Sequence, residues 1–183
     1  MTRAEKEKII ETTNTRLQVI GEINSFCNDG KTYYIALLDK IENDPTLTLR
    51  KHFEVKNWTF DLKEMNRNYQ EILKQELLGY FGQYLLQAKM PYIKDLYEGK
   101  KGEEFAAINE KIILHHDTNC EYILDDFIDT VGQLVGDRYT FYRLQVNWHF
   151  TDERYEWFYE CYENDYLFDL GDQFLFLHFG GSD

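Results

Sequence analysis

After Gly136-Asp137 the apolar period of this 183-residue chain changes. Upstream, hydrophobic side chains recur every three or four residues, the spacing of a helix face. Downstream, Tyr142, Leu144, Val146, Trp148 and Phe150 alternate with Phe141, Arg143, Gln145, Asn147 and His149. Only Phe141 breaks the polar side, so this stretch reads as a half-buried strand. Phe174 to Phe179 reads as a final strand. Residues 151–163 fit a hairpin, with a helix capped by Thr151 as the alternative.

Upstream of the switch, residues 2–27 read as a helix. Thr2 and Glu5 have capping-box spacing, Ile9, Thr13, Leu17, Ile20 and Asn24 form a stripe, and Asn28-Asp29-Gly30 stops it. Tyr33 to Ile41 reads as a short helix ended by Asn43-Asp44-Pro45, and 46–58 fits strand or helix. The strongest helical pattern runs from Asp61 to Lys89. Leu62, Met65, Tyr69, Leu73, Leu77, Tyr80 and Tyr84 share a face, with Gly79 and Gly82 offering a kink or a close helix crossing. Pro91 biases Met90 out of the helical region. The loop Gly99-Lys100-Lys101-Gly102 reads as a solvated turn. Helices are expected over Glu103–His115 and Cys120–Val135, separated by a break at Asp117-Thr118-Asn119.

These readings predict an α+β fold: a mostly helical N-terminal two-thirds packed with a small C-terminal antiparallel sheet. A chain of this length forms one domain, 1–183, with a helical lobe over about 1–136 and an acidic, aromatic, β-rich lobe over about 137–183. Fourteen Tyr and thirteen Phe supply a sizeable core. The segment MTRAEKEKII has charges where a signal peptide needs its apolar stretch. No apolar run approaches the length of a membrane-spanning helix. Cys27, Cys120 and Cys161 are odd in number and widely spaced, which argues against a disulfide framework or a cysteine zinc site. A reduced, cytoplasmic setting follows.

Charge is distributed unevenly. Residues 1–111 hold 17 bases and 18 acids; residues 112–183 hold 3 bases and 15 acids, so nearly all of the net −13 lies in the last 72 residues. Disordered acidic tails are poor in aromatics, whereas this stretch carries 7 Tyr, 8 Phe and 2 Trp. An ordered acidic surface repels nucleic acid and anionic membrane and attracts basic proteins. The richest part interleaves Asp152, Glu153, Glu156, Glu160, Glu163 and Asp165 with Tyr155, Trp157 and Tyr159. Carboxylates on a scaffold can stand in for phosphates, and Tyr and Trp supply rigid contact area. These nine residues are therefore the expected partner-binding set. The expected function is inhibition of a basic nucleic-acid-handling protein by charge complementarity or nucleic-acid mimicry. Two settings fit: immunity to a nuclease toxin, or phage inhibition of a CRISPR-type defence nuclease.

Enzymatic alternatives have less support. His115-His116-Asp117 is the one metal-like cluster, with imidazole and carboxylate ligands suited to zinc or a first-row metal. Asp125, Asp126 or Asp129 could complete it, and a metal-dependent hydrolase is the alternative reading. A helix end meeting its dipole explains the same residues. Serine occurs only at Ser25 and Ser182, neither in a nucleophile elbow, and no glycine-rich phosphate loop is present. No cofactor and no direct nucleic-acid partner are expected. Homo-oligomerisation through the Leu62–Tyr84 stripe is compatible with the binding role.

Overall fold

The structure, a computed structural model, describes residues 1–24, 30–56, 58–66, 68–81, 99–147 and 162–182. Within the long helix below, the side chains of 105, 106 and 108–119 fall outside that description. In chain order the elements are α1 (Arg3–Asn24), β1 (Gly30–Asp39), α2 (Pro45–Phe53), β2 (Thr59–Glu64), α3 (69–81), α4 (Glu103–Val135), β3 (Thr140–Asn147), β4 (Tyr162–Asp169) and β5 (Gln173–Ser182).

The five strands form one antiparallel sheet in the order β1-β5-β4-β3-β2. Its centre therefore comes from the C-terminal end of the chain and its two edges from the N-terminal half. A helical N-terminal block followed by a small C-terminal sheet does not form: helices and strands are interspersed, and two strands lie before residue 65.

Both faces of the sheet are covered. On one, Tyr33, Ile35, Phe141, Tyr166, Phe168, Leu175, Leu177 and Phe179 meet Leu17 of α1, Leu73 and Leu77 of α3, and Leu124 and Val131 of α4. On the other, Leu38, Phe60, Leu144, Val146, Leu167, Phe174 and Phe176 meet Leu49 and Phe53 of α2, with Val55 and Trp58 beside them. Burying one such side chain contributes about 1.5–3 kcal/mol. This double burial explains three departures from the sequence reading. Tyr33 to Leu38 is a strand, not a helix, because apolar residues of both parities are needed. Phe141 points to the three-helix face and stacks on Phe168 at 4.6 Å, so it is core. The continuous run from Phe174 to Phe179 is the strand buried on both sides.

The expected helix Asp61–Lys89 divides. Its beginning is β2, and α3 starts after Asn68, whose side chain accepts from the Gln70 N–H at 3.1 Å. Leu62 and Met65 continue the helical spacing only by coincidence. Gly82, Tyr84 and Pro91 lie outside the described residues, as do Asn28, Asp29 and Trp148. The expected break at Asp117-Thr118-Asn119 is absent: α4 is one helix of 33 residues. Those residues are poor helix formers by only about 0.7 kcal/mol each or less, which the burial of Leu124, Phe127, Ile128 and Val131 in the same helix overcomes. The close helix crossing is at Gly132, where a Cβ would lie 3.1 Å from the Tyr69 hydroxyl, while Gly79 faces open space.

Local signals that hold include the Thr2–Glu5 capping box, with Thr2 N–H donating to Glu5 at 2.7 Å. Asn43-Asp44-Pro45, read as the end of a helix, instead opens α2: Asp44 caps the Thr46 and Leu47 N–H groups ahead of Pro45. No helix among the described residues is long and apolar enough to cross a membrane.

Candidate partner-binding surface

Of the nine residues expected to bind a partner, Asp152, Glu153, Tyr155, Glu156, Trp157, Tyr159 and Glu160 lie outside the described residues. Glu163 and Asp165 lie on β4, two residues apart and so on one side of the sheet, the side α2 covers. Glu163 is half-buried. Asp165 is 2 % exposed and points inward. Its Oδ1 sits 2.7 Å from Nδ1 of His178, its register partner on β5.

The Asp165–His178 pair is the most distinctive polar feature of the core. An imidazole held by a carboxylate resembles the oriented half of a general-base system. Here the ring is 1 % exposed. Tyr34 covers it with a ring-centroid separation of 5.0 Å, and Phe176 and Tyr34 in turn contact His52 of α2. Burial and the nearby His178 hold the His52 imidazole below the usual histidine range. The group knits β5, β4 and α2 together rather than facing solvent.

His115, His116 and Asp117 are consecutive positions inside α4. Their side chains lie outside the description. Among the described residues no three His, Cys, Asp or Glu side chains gather as a metal-holding group.

Several acids of the last 72 residues are met by bases from the first 111. Lys40 bonds Asp169 at 2.6 Å, Lys74 bonds Asp125 at 2.8 Å and Arg16 bonds Asp126 at 2.9 Å. Glu121, Asp129, Asp137 and Asp172 are exposed. On the three-helix face the carboxylate of Glu76 takes two partners. The Tyr166 hydroxyl donates to it at 2.6 Å and Arg143 lies at 3.1 Å. Burial beside that carboxylate pushes the Tyr166 phenol far above its ordinary range.

One surface was not legible as a site. Val19 on α1 and Tyr122 and Ile123 on α4 are large apolar side chains left exposed, at 50 %, 70 % and 39 %. With Thr15, Arg16, Ile20 and Asp126 they line a groove of about 510 Å³ between the two helices. Val19 and Tyr122 fall off the buried stripes of their helices, which is the signal that could have marked them. Comparison with models of protein families, with curated proteins and with solved structures finds no match for this chain.

Proposed function

We propose that this protein is an acidic binding protein that inhibits a basic nucleic-acid-handling protein, acting in the cytoplasm by occupying a surface that otherwise holds a polyanion. The observation that carries this reading is the concentration of charge: 15 acids against 3 bases over residues 112–183. Ion pairs with Lys40, Lys74 and Arg16 neutralise part of it, and Asp165 is internal. The exposed acids of α4 and the acidic stretch 152–160 remain as the source of the field. Such a field accelerates encounter with a cationic partner and weakens with salt. Immunity to a nuclease toxin and blockade of a CRISPR-type nuclease are the two settings that share this chemistry.

The test begins with affinity capture from native lysate at low and high salt, with identification of the eluted protein. The captured protein is then assayed for nucleic-acid cleavage or binding with and without the purified chain. Inhibition that fades with salt, and is lost in Glu156→Lys/Glu160→Lys, supports the reading. A charge-reversed variant that inhibits as well as the parent overturns it.

A further inference from the structure

We propose that the outer edge of β2 is a self-association surface, through which two copies of this chain pair antiparallel about a two-fold axis at Leu62. The inference goes beyond the binding role proposed above and stands apart from it. The sheet ends at β2, which pairs with β3 on its inner side. The phase of that pairing is fixed at its end, where the Met65 N–H donates to the Phe141 carbonyl at 2.9 Å. Hydrogen-bonded positions alternate along an antiparallel ladder. Thr59, Asp61 and Lys63 therefore turn their backbone polar groups towards β3, and Phe60, Leu62 and Glu64 turn theirs outward. Among the described residues no strand takes up those outward groups, and an edge of that kind is a template for another strand. The opposite margin of the sheet is guarded, because the Asn14 side chain bonds both backbone groups of Ile35 on β1. A two-fold contact uses the same edge of each copy, so association through β2 closes at two.

Side chains select both the occupant and the register. Phe60 and Leu62 face the α2 side of the sheet, so Asp61 and Lys63 face the three-helix side. Asp61, Lys63 and Glu64 are exposed and Leu62 is half-buried. A cleft of about 810 Å³, with Asp61, Lys63, Arg143 and Gln145 in its lining, keeps the edge accessible there. With the axis at Leu62, that residue meets its own copy in a hydrogen-bonded pair, and Phe60 of each chain exchanges bonds with Glu64 of the other. Asp61 then stands opposite Lys63 of the second copy, and Lys63 opposite Asp61. Both are non-hydrogen-bonded pairs, where facing Cα atoms lie about 4.5 Å apart and side chains are closest. Opposite charges at such positions stabilise, and like charges destabilise. Moving the axis to Asp61 or to Lys63 sets two carboxylates or two ammonium groups face to face. Moving it midway between residues turns outward groups onto inward ones, and the bonds are lost. The edge Thr59–Glu64 is thus complementary to itself in one antiparallel register.

The test is sedimentation of the full chain from low to several hundred micromolar at about 0.15 M salt, where repulsion between the two acidic chains is screened beyond about 8 Å. The parent is expected to pass from monomer to dimer as concentration rises. Asp61→Lys alone, or Lys63→Asp alone, sets two like-charge pairs across the axis and should weaken the dimer by about tenfold or more. Mixed in equal amounts, the two variants restore opposite charge at both positions and should associate as tightly as the parent. A variant that had merely misfolded would gain nothing from mixing. Amide hydrogen exchange, read by NMR at low and high concentration, reports the register. The Phe60, Leu62 and Glu64 amides should gain protection on association, while those of Asp61 and Lys63, already bonded to β3, should change little. A parent that stays monomeric throughout overturns the proposal. So does a dimer indifferent to either charge reversal, a mixture no tighter than its components, or new protection centred on other residues.

Discussion

Asn14 of α1 closes the outer edge of β1 by treating Ile35 as another strand would. Its side-chain Nδ2 donates to the Ile35 carbonyl at 2.8 Å, and its Oδ1 accepts from the Ile35 N–H, also at 2.8 Å. On its other side Ile35 is registered with Leu177 of β5. An uncovered edge strand is a template for pairing with another chain, and one carboxamide removes the midpoint of that template.

Asn14→Ala should therefore do two things. It leaves a donor and an acceptor of Ile35 without their partner, at a cost of about 1–3 kcal/mol. It also uncovers the edge. Urea unfolding should show a lower midpoint at unchanged slope, and light scattering should show self-association that rises with concentration. A variant as stable and as monodisperse as the parent would contradict this account of the edge.

Gly79→Ala should stabilise the protein. Gly79 lies in the exposed part of α3, and an added Cβ meets nothing within 4 Å. Alanine is favoured over glycine inside a helix by about 0.8–1 kcal/mol, partly through the unfolded chain. Thermal unfolding should shift upward by a few degrees. Gly132, against Tyr69, does not have this freedom.

Asp44→Ala should cost about 1 kcal/mol through loss of the α2 cap. The carboxylate accepts from Thr46 and Leu47 at 2.7 and 3.2 Å. Asp44→Asn and Asp44→Ser, which keep an acceptor, should recover most of the loss in the same denaturation assay.

The half-buried His52 and the buried Tyr166 set opposite ends of the pH profile. His52 titrates below its ordinary value in the folded state, so the unfolded chain binds its proton first as pH falls. That contribution to stability is complete above about pH 6.5 and is lost progressively below it. Tyr166 titrates above its ordinary value when folded, so the unfolded chain loses its proton first, and stability declines as pH climbs past about 10. Denaturation midpoints across pH should show His52→Phe flattening the acid limb and Tyr166→Phe flattening the alkaline limb. Swapped effects would refute the assignments.

What the sequence revealed depended on whether one face or two needed covering. The α1 helix was legible because its stripe is one-sided and its cap is local, in Thr2 and Glu5. The strand β1 was not, because Tyr33 through Leu38 serves two cores at once and a run apolar at every position carries no period. The start of α3 was hidden by Leu62 and Met65, which happen to extend its spacing backward across a strand; Asn68 was the true punctuation. At the candidate surface, counting charge located the acidic third but could not separate an internal carboxylate such as Asp165 from exposed ones such as Glu121 and Asp129. That distinction depends on strand pairing with His178, thirteen residues away.

The sheet order also dictates when this protein can fold. Among the described residues strand β1 pairs only with β5, and β2 only with β3. During synthesis the nascent chain emerges with two strands that belong at opposite margins and cannot join each other. The second finds its neighbour once residue 147 has left the ribosome; the first must wait for the last ten residues of the sheet. Until then Tyr33, Ile35 and Leu38 have no strand to lie against, and helices must shelter them from water: α1 on the side of Tyr33 and Ile35, α2 on the side of Leu38.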